Sequence, residues 1–266
     1  MPNYPQRLVG WILDTIFPKI CLGCGKFTRL NFASQNLGGF TDKKDFDYVC
    51  RKCFGEIDLK NTFECIGCKR QTQLGLTCTF CKKDNYIDQL LIAAELTDPL
   101  VEKILKAYKY KFICDMAMPL SMIAKKCVKR LLSKGFVLFE SNPILVPVPL
   151  SGSRLNWRGF NQAQLLARSL SDGFLASCGE GVLARINCFR HQADIQAKED
   201  RINNVKDNFA VKDSESIRGR TVILVDDICT TGATLNECAR VLKNPPAGGG
   251  ARRVIGFVIA RGQFKR

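Results

Sequence analysis

Two adjacent carboxylates, Asp226 and Asp227, followed closely by Thr230, Thr231, Gly232, Ala233 and Thr234, are the residues of this chain best suited to chemistry. Neighbouring carboxylates accept hydrogen bonds from a sugar diol, or ligate a hard cation such as Mg²⁺. A Thr/Gly-rich turn that opens a helix offers backbone N–H groups and hydroxyls to an anion. A diol acceptor beside a phosphate cradle describes a ribose 5-phosphate site. A second constellation points to metal. Eight of the fourteen cysteines fall in four C-x-x-C pairs, Cys21/Cys24, Cys50/Cys53, Cys65/Cys68 and Cys78/Cys81. Two such pairs complete a tetrahedral four-cysteine zinc site, a type that is usually closed and structural. Sequential pairing is favoured because short loops close at lower entropy cost. An interleaved pairing, first with third and second with fourth, stays open.

Positioning these groups requires a scaffold. Val222, Ile223, Leu224 and Val225 are apolar on both faces, as a strand inside a parallel sheet reads. The carboxylates are expected just beyond its end, where ligands collect in α/β folds. A helix over Pro99–Tyr110 buries Leu100, Ile104 and Leu105 and runs into a turn bearing Lys109 and Lys111. The next helix, 116–133, carries Lys125/Lys129 and Lys126/Arg130 at i, i+4, either a solvated face or a docking surface for a polyanion. A strand at 144–148 ends among Pro147 and Pro149. There follow a polar loop from Ser151 with Arg154, Trp157 and Arg158, a helix at 161–170, and a last strand at 253–260. Trp157 and Phe160 beside Arg158 could stack on a base or simply pack. Strands alternating with helices read as an α/β domain, a parallel sheet flanked by helices, over 89–266. A small double zinc-ribbon domain, built on two four-cysteine sites, occupies 1–88.

The 266 residues carry a formal charge of +15, of which +4 lies in residues 1–88. Eight thiolates and two Zn²⁺ would lower the front by about four, so the basic excess belongs to the back domain. Such a balance suits phosphate substrates and nucleic acid alike. No apolar run is long enough for a membrane span, and the patch at 8–13, interrupted by Asp14, does not read as a signal peptide. Cysteines arranged for metal rather than disulfides place the chain in a reducing cytoplasm. His191 is the only histidine and reads as a loop residue.

The string V-I-L-V-D-D-I-C-T-T-G-A-T resembles the phosphoribosyl pyrophosphate (PRPP) signature of type I phosphoribosyltransferases. Together with V-P-V-P-L-S-x-x-R-x-x-x-R-G-F-N-Q-A, the block Asp200-Arg201 to Phe209 and the Cys-rich front, it is similar to the ComF family. That family joins a double zinc ribbon to a phosphoribosyltransferase-like domain and is associated with DNA uptake. The resemblance implies Mg²⁺-PRPP or a related ribose 5-phosphate as ligand, two structural Zn²⁺ ions, and single-stranded DNA and DNA-uptake proteins as partners. It implies that Thr230, Thr231, Gly232, Ala233 and Thr234 hold the 5-phosphate and Asp226 and Asp227 the ribose hydroxyls. Lys109 and Lys111 then occupy the place of a pyrophosphate loop, and Arg201 belongs to a lid over 191–201. An active transferase of nucleotide metabolism or salvage and a non-catalytic PRPP sensor are the alternative functions. The spacing at 192–201 and the long Pro/Gly turn before the last strand depart from the family pattern.

Overall fold

Side chains alternating along the strands of a parallel sheet divide the protein into two cores, one on each face. In β6 (Thr221–Cys229), Val222 and Leu224 face one core while Ile223 and Val225 face the other. The sheet is parallel throughout, in the order β1-β7-β6-β2-β3, with β1 at Gln89–Ile92, β2 at Ile144–Pro147, β3 at Ser177–Cys178 and β7 at Arg253–Arg261. These elements come from a computed structural model that describes residues 19–28, 47–110, 114–136, 142–174, 176–186 and 207–262. Within those residues, a short helix α1 (Arg51–Gly55) lies in the Cys-rich part. Helices α2 (Pro99–Tyr110), α3 (Ala117–Ser133) and α5 (Gln162–Phe174) contribute to one core, and α6 (Ala233–Lys243) to the other. A two-stranded antiparallel sheet, β4 (Leu183–Arg185) with β5 (Phe209–Val211), is separate from the parallel one.

Local chemistry explains the ends of these elements. Asp98 starts α2 by accepting the N–H groups of Leu100 at 2.8 Å and Val101 at 3.2 Å, and Pro99 fits a first-turn position that lacks an intrahelical N–H bond. Residues 151–160, expected as a polar loop, instead contain a helix, α4 (Gly152–Arg158). Ser151 Oγ caps it by accepting the Arg154 N–H at 3.4 Å, and Gly159 ends it at φ +76°. Strand β6 also runs further than its apolar run suggests. It stays paired with β7 as far as Cys229–Arg261, so Asp226 and Asp227 lie within the strand rather than past it.

The cysteine pairs assemble sequentially, Cys21/Cys24/Cys50/Cys53 and Cys65/Cys68/Cys78/Cys81. The first knuckle packs into the core of α2 and α3 through Cys21, Val49 and Cys53, whereas Ile66 of the second enters the opposite core. This docking corrects the reading of the basic face on α3. Arg130 donates to the Lys60 carbonyl, to Leu59 O at 3.5 Å and to Asn61 Oδ1 at 2.8 Å. Lys126 sits 5.9 Å from the Phe54 ring, and Lys125 is buried. Half of that face is a clamp on the Cys-rich segment and is already engaged before any polyanion arrives.

Arg130→Ala should therefore destabilise the fold by about 1–3 kcal/mol, since it strands carbonyls that a cationic donor now satisfies. Lys129→Ala, on the exposed flank, should leave the denaturation midpoint essentially unchanged. Urea titrations of the two variants decide between a clamp and a solvated face.

Candidate functional site

The strand order reverses direction between β2 and β6: the helix after β2 leads outward to β3, and the helix after β6 leads back to β7. Crevices form at the carboxyl ends of such strand pairs. Here β2 pairs with β6 only from Val222 to Val225, and Val148 N–H adds one more bond, to Val225 O at 2.9 Å. Pro149 has no N–H to continue. Beyond that point β6 has β7 on one side and an open edge on the other. Asp226 and Asp227 stand on this free length.

Their environments differ. Asp227 is 5% exposed and accepts from Lys109 Nζ at 2.9 Å, while its own N–H donates to Asp226 Oδ1 at 2.8 Å. Asp226 is half-buried. Desolvation, reinforced by the Asp227 charge and opposed by Lys109, raises its pKa from 3.8 to about 7. Lys109 lies in the last turn of α2, one residue from Tyr108, which anchors the helix end. Tyr108 is fully buried, its hydroxyl donates to Gln162 O at 2.9 Å, and its ring lies 5.5 Å from Phe160. Burial, then the Asp227 charge, pushes that phenol well above its usual range. Lys109 thus belongs to the helix and faces the carboxylates. Lys111, Arg201 and His191 lie outside the described residues.

The Thr/Gly segment expected to hold an anion is a turn into α6. Thr230 and Thr231 are exposed, Gly232 is buried with φ +86°, and Ala233 and Thr234 open the helix half-buried. Thr231 Oγ1 accepts the Ala233 N–H at 3.2 Å. The sequence pattern brings these residues together as a strand–turn–helix, and the structure has them so. It does not reveal Tyr108, whose hydroxyl partner is a backbone carbonyl, nor Ile66 and Arg261, which touch the loop's surroundings from far along the chain.

Each four-cysteine cluster has the shape and chemistry of a metal site. All four Sγ atoms of each lie within 4.8 Å of one another, with neighbours such as Cys65–Cys78 at 3.7 Å and Cys24–Cys50 at 3.8 Å. A tetrahedron with Zn–S bonds of about 2.3 Å has edges of about 3.8 Å. Protons resist leaving together. Cys68 is drawn down to about 6 by the Arg70 guanidinium, while desolvation and the neighbouring sulfurs hold Cys81 at about 12. In the first cluster burial works against Cys21, but N–H donors led by Cys50 bring it to about 7, and desolvation puts Cys53 at about 12. Four thiolates can coexist there only with a compensating cation.

Comparison with known proteins agrees with this geometry. Residues 124–259 match the family model described as "Phosphoribosyl transferase domain". The chain is 29% identical to "Competence protein F" of Haemophilus influenzae over 217 residues, 74% of this chain and 92% of that protein. It is 27% identical to "Competence protein ComFC" of Bacillus subtilis over 250 residues, covering 91% and 95%. A shorter match, 34% over 99 residues, joins 37% of the chain to 42% of "DNA utilization protein YhgH" of Escherichia coli. Among the described residues, no helix is long and apolar enough to cross a membrane.

The raised pKa of Asp226 has a consequence for stability. A carboxyl whose folded pKa exceeds its unfolded value binds its proton more tightly when folded. Stability therefore falls as pH rises from the ordinary carboxylate range to about 7. Asp226→Asn removes that penalty, so melting temperatures should diverge in the variant's favour as pH rises from about 4.5 to about 7.5. A constant offset across that range would mean that Asp226 ionises normally.

Proposed function

Because the chain belongs to the phosphoribosyl transferase domain family and carries the paired four-cysteine knuckles of ComF-type proteins, we propose that it binds Mg²⁺-PRPP and serves the handling of incoming DNA. The observation that carries this reading is the carboxylate pair on the length of β6 that extends beyond β2, directly before a positive-φ glycine turn into α6. In this assignment Asp226 and Asp227 accept from the ribose 2- and 3-hydroxyls, and Thr230, Thr231, Gly232, Ala233 and Thr234 hold the 5-phosphate. Lys109, already beside Asp227, contributes positive charge near the anionic ligand. Lys111 and Arg201 keep the pyrophosphate and lid roles that the family pattern suggests. The two cysteine sets would bind Zn²⁺ as closed structural sites, within a division of the chain into 1–88 and 89–266 and a cytoplasmic setting.

Turnover, where it occurs, breaks the bond between ribose C1 and a pyrophosphate oxygen. Pyrophosphate leaves with the electron pair, an acceptor nitrogen bonds to C1, and the acceptor's proton is lost to a base. The protein's part is to orient the ribose and stabilise the departing charge. A binding site that leaves PRPP intact would be the sensor reading, and product analysis with a panel of bases separates the two.

For DNA, we assign α4 as the binding surface. It carries exposed Arg154 and Trp157, the latter 61% accessible, with Arg158 at 6.0 Å from the Trp157 ring. An exposed aromatic among arginines offers stacking and charge together, as single-strand binding requires. It follows the β2 strand, on the crevice side of the sheet.

Two measurements test this function. Calorimetry should detect Mg²⁺-PRPP binding that strengthens as pH rises through about 7, where Asp226 ionises, and that is lost in Asp226→Asn/Asp227→Asn. No binding by the zinc-loaded wild type at any pH would refute the PRPP site. An oligothymidylate should bind with an affinity that falls log-linearly with salt, by a slope of about −0.7 per phosphate contacted. Trp157→Ala should weaken it by about tenfold, a loss within the range for one stacked base. Equal binding by wild type and variant would remove α4 from the interface.

A further inference from the structure

We propose that the second cysteine knuckle is a working part of the phosphate loop, with Ile66 and Arg261 as positioning residues that couple metal occupancy to anion binding. The identity of the anion rests on the PRPP reading, whereas the mechanical link stands on contacts alone.

Gly232, at the centre of the loop, has no room for a side chain. A Cβ built there would lie 2.8 Å from Cγ1 and 3.1 Å from Cδ1 of Ile66. Ile66 directly follows the ligand Cys65 and is fully buried. The loop backbone therefore rests on the knuckle. Arg261, 7% exposed at the end of β7, fixes the same stretch: it donates to Glu64 Oε1 at 2.8 Å, Cys65 O at 3.0 Å and Ile66 O at 2.5 Å. The next residue closes the circuit, as Gly262 N–H donates to Cys229 O at 2.8 Å, one residue before the loop begins.

The far side of the knuckle is tied to the helix that follows the loop. Asn236, in the first turn of α6, accepts the Tyr86 N–H at 2.6 Å and donates to Asp84 O at 3.0 Å. Both partners lie just beyond the ligand Cys81. Cys65 and Cys81 thus belong to one metal set, and the flanking residues hold the loop from two sides. The first knuckle has different tethers, such as Lys103 Nζ donating to Leu22 O at 3.1 Å from α2. When the second metal leaves, the four sulfur atoms lose the bonds that draw them to one point, and the 65–68 turn is released. Ile66 then no longer supports Gly232. Coupling free energies are reciprocal, so a ligand on the loop must also retain the metal.

The test is metal release from the full, zinc-loaded protein to a chromogenic chelator, with and without Mg²⁺-PRPP. One of the two zinc equivalents should leave about tenfold more slowly with ligand present, a factor ordinary for coupled sites. The other should be indifferent. Ile66→Ala, with both metals bound at the outset, should abolish the difference and weaken PRPP by a similar factor. If calorimetry shows the ligand bound and both equivalents leave at unaltered rates, the coupling is wrong. If the wild type binds no PRPP, the function proposed above fails instead, and the link is read by amide hydrogen exchange. Cys68→Ser should then speed exchange at residues 230–234, and Cys24→Ser should not. Equal exchange in the two variants would overturn the link independently of any ligand.

Discussion

A missing hydrogen-bond donor organises the carboxyl edge of this sheet. Strand β2 ends in a Pro-Val-Pro sequence, so the ladder to β6 stops after the bond from Val148 N–H to Val225 O. Strand β6 continues, held by β7 alone, and its next residues are Asp226 and Asp227. A strand paired on one side keeps its geometry yet leaves its other edge free for ligands. Both carboxylates are accordingly held rigidly, and Asp226, the half-buried one, is also reachable. A flexible loop in the same place would provide the second property without the first.

Rigid placement of two carboxylates in a partly dry crevice carries an electrostatic cost, and the surrounding residues limit it unequally. Asp227 has Lys109 and is nearly inaccessible; Asp226 has the Asp227 N–H and a strong bias towards its protonated form. The Lys109 contact depends in turn on the buried Tyr108 hydroxyl, which fastens the end of α2 to α5. Charge balance at the site is therefore a property of three elements, α2, α5 and β6. The Cys-rich segment adds a fourth constraint, because its two knuckles grip the sheet from both sides.

Much of this is legible locally. The apolar run at 222–225, the Asp-Asp pair and the Thr/Gly turn have meaning at fixed spacing, and helix α2 begins and ends where its Asp-Pro start and apolar period place it. Sequential cysteine pairing follows from the cost of closing loops. Where the reading fails, the deciding partner is distant or is backbone. Asp residues disfavour strands, which hides the length of β6, although β7 provides a complete ladder for it. Helix α4 has Ser151 as an N-cap and Gly159 as a C-terminal stop, but its Gly, Ser and Asn content argues for loop. The spacing of Lys126 and Arg130 suggests solvent, whereas Arg130 in fact satisfies a carbonyl 70 residues away. Arg261 and Glu64 lie 197 residues apart, and no periodicity connects them.

The position of β1 sets an order of events for the growing chain. Its ladder partner in the sheet is β7, and the Asp88 carboxylate that receives the Val254 N–H precedes it by 166 residues. At typical rates of synthesis, β1 waits on the order of ten seconds for the strand that completes it. During that interval the cysteine knuckles have emerged, but the sheet that they clasp has not. The four-cysteine set at 65–81 is contained in one short stretch of chain, and its closure does not wait for a distant strand. The nascent protein thus carries a finished clasp ahead of the body it fastens. Leu90, Leu91 and Ile92 of β1 meanwhile lack the strand that completes their ladder.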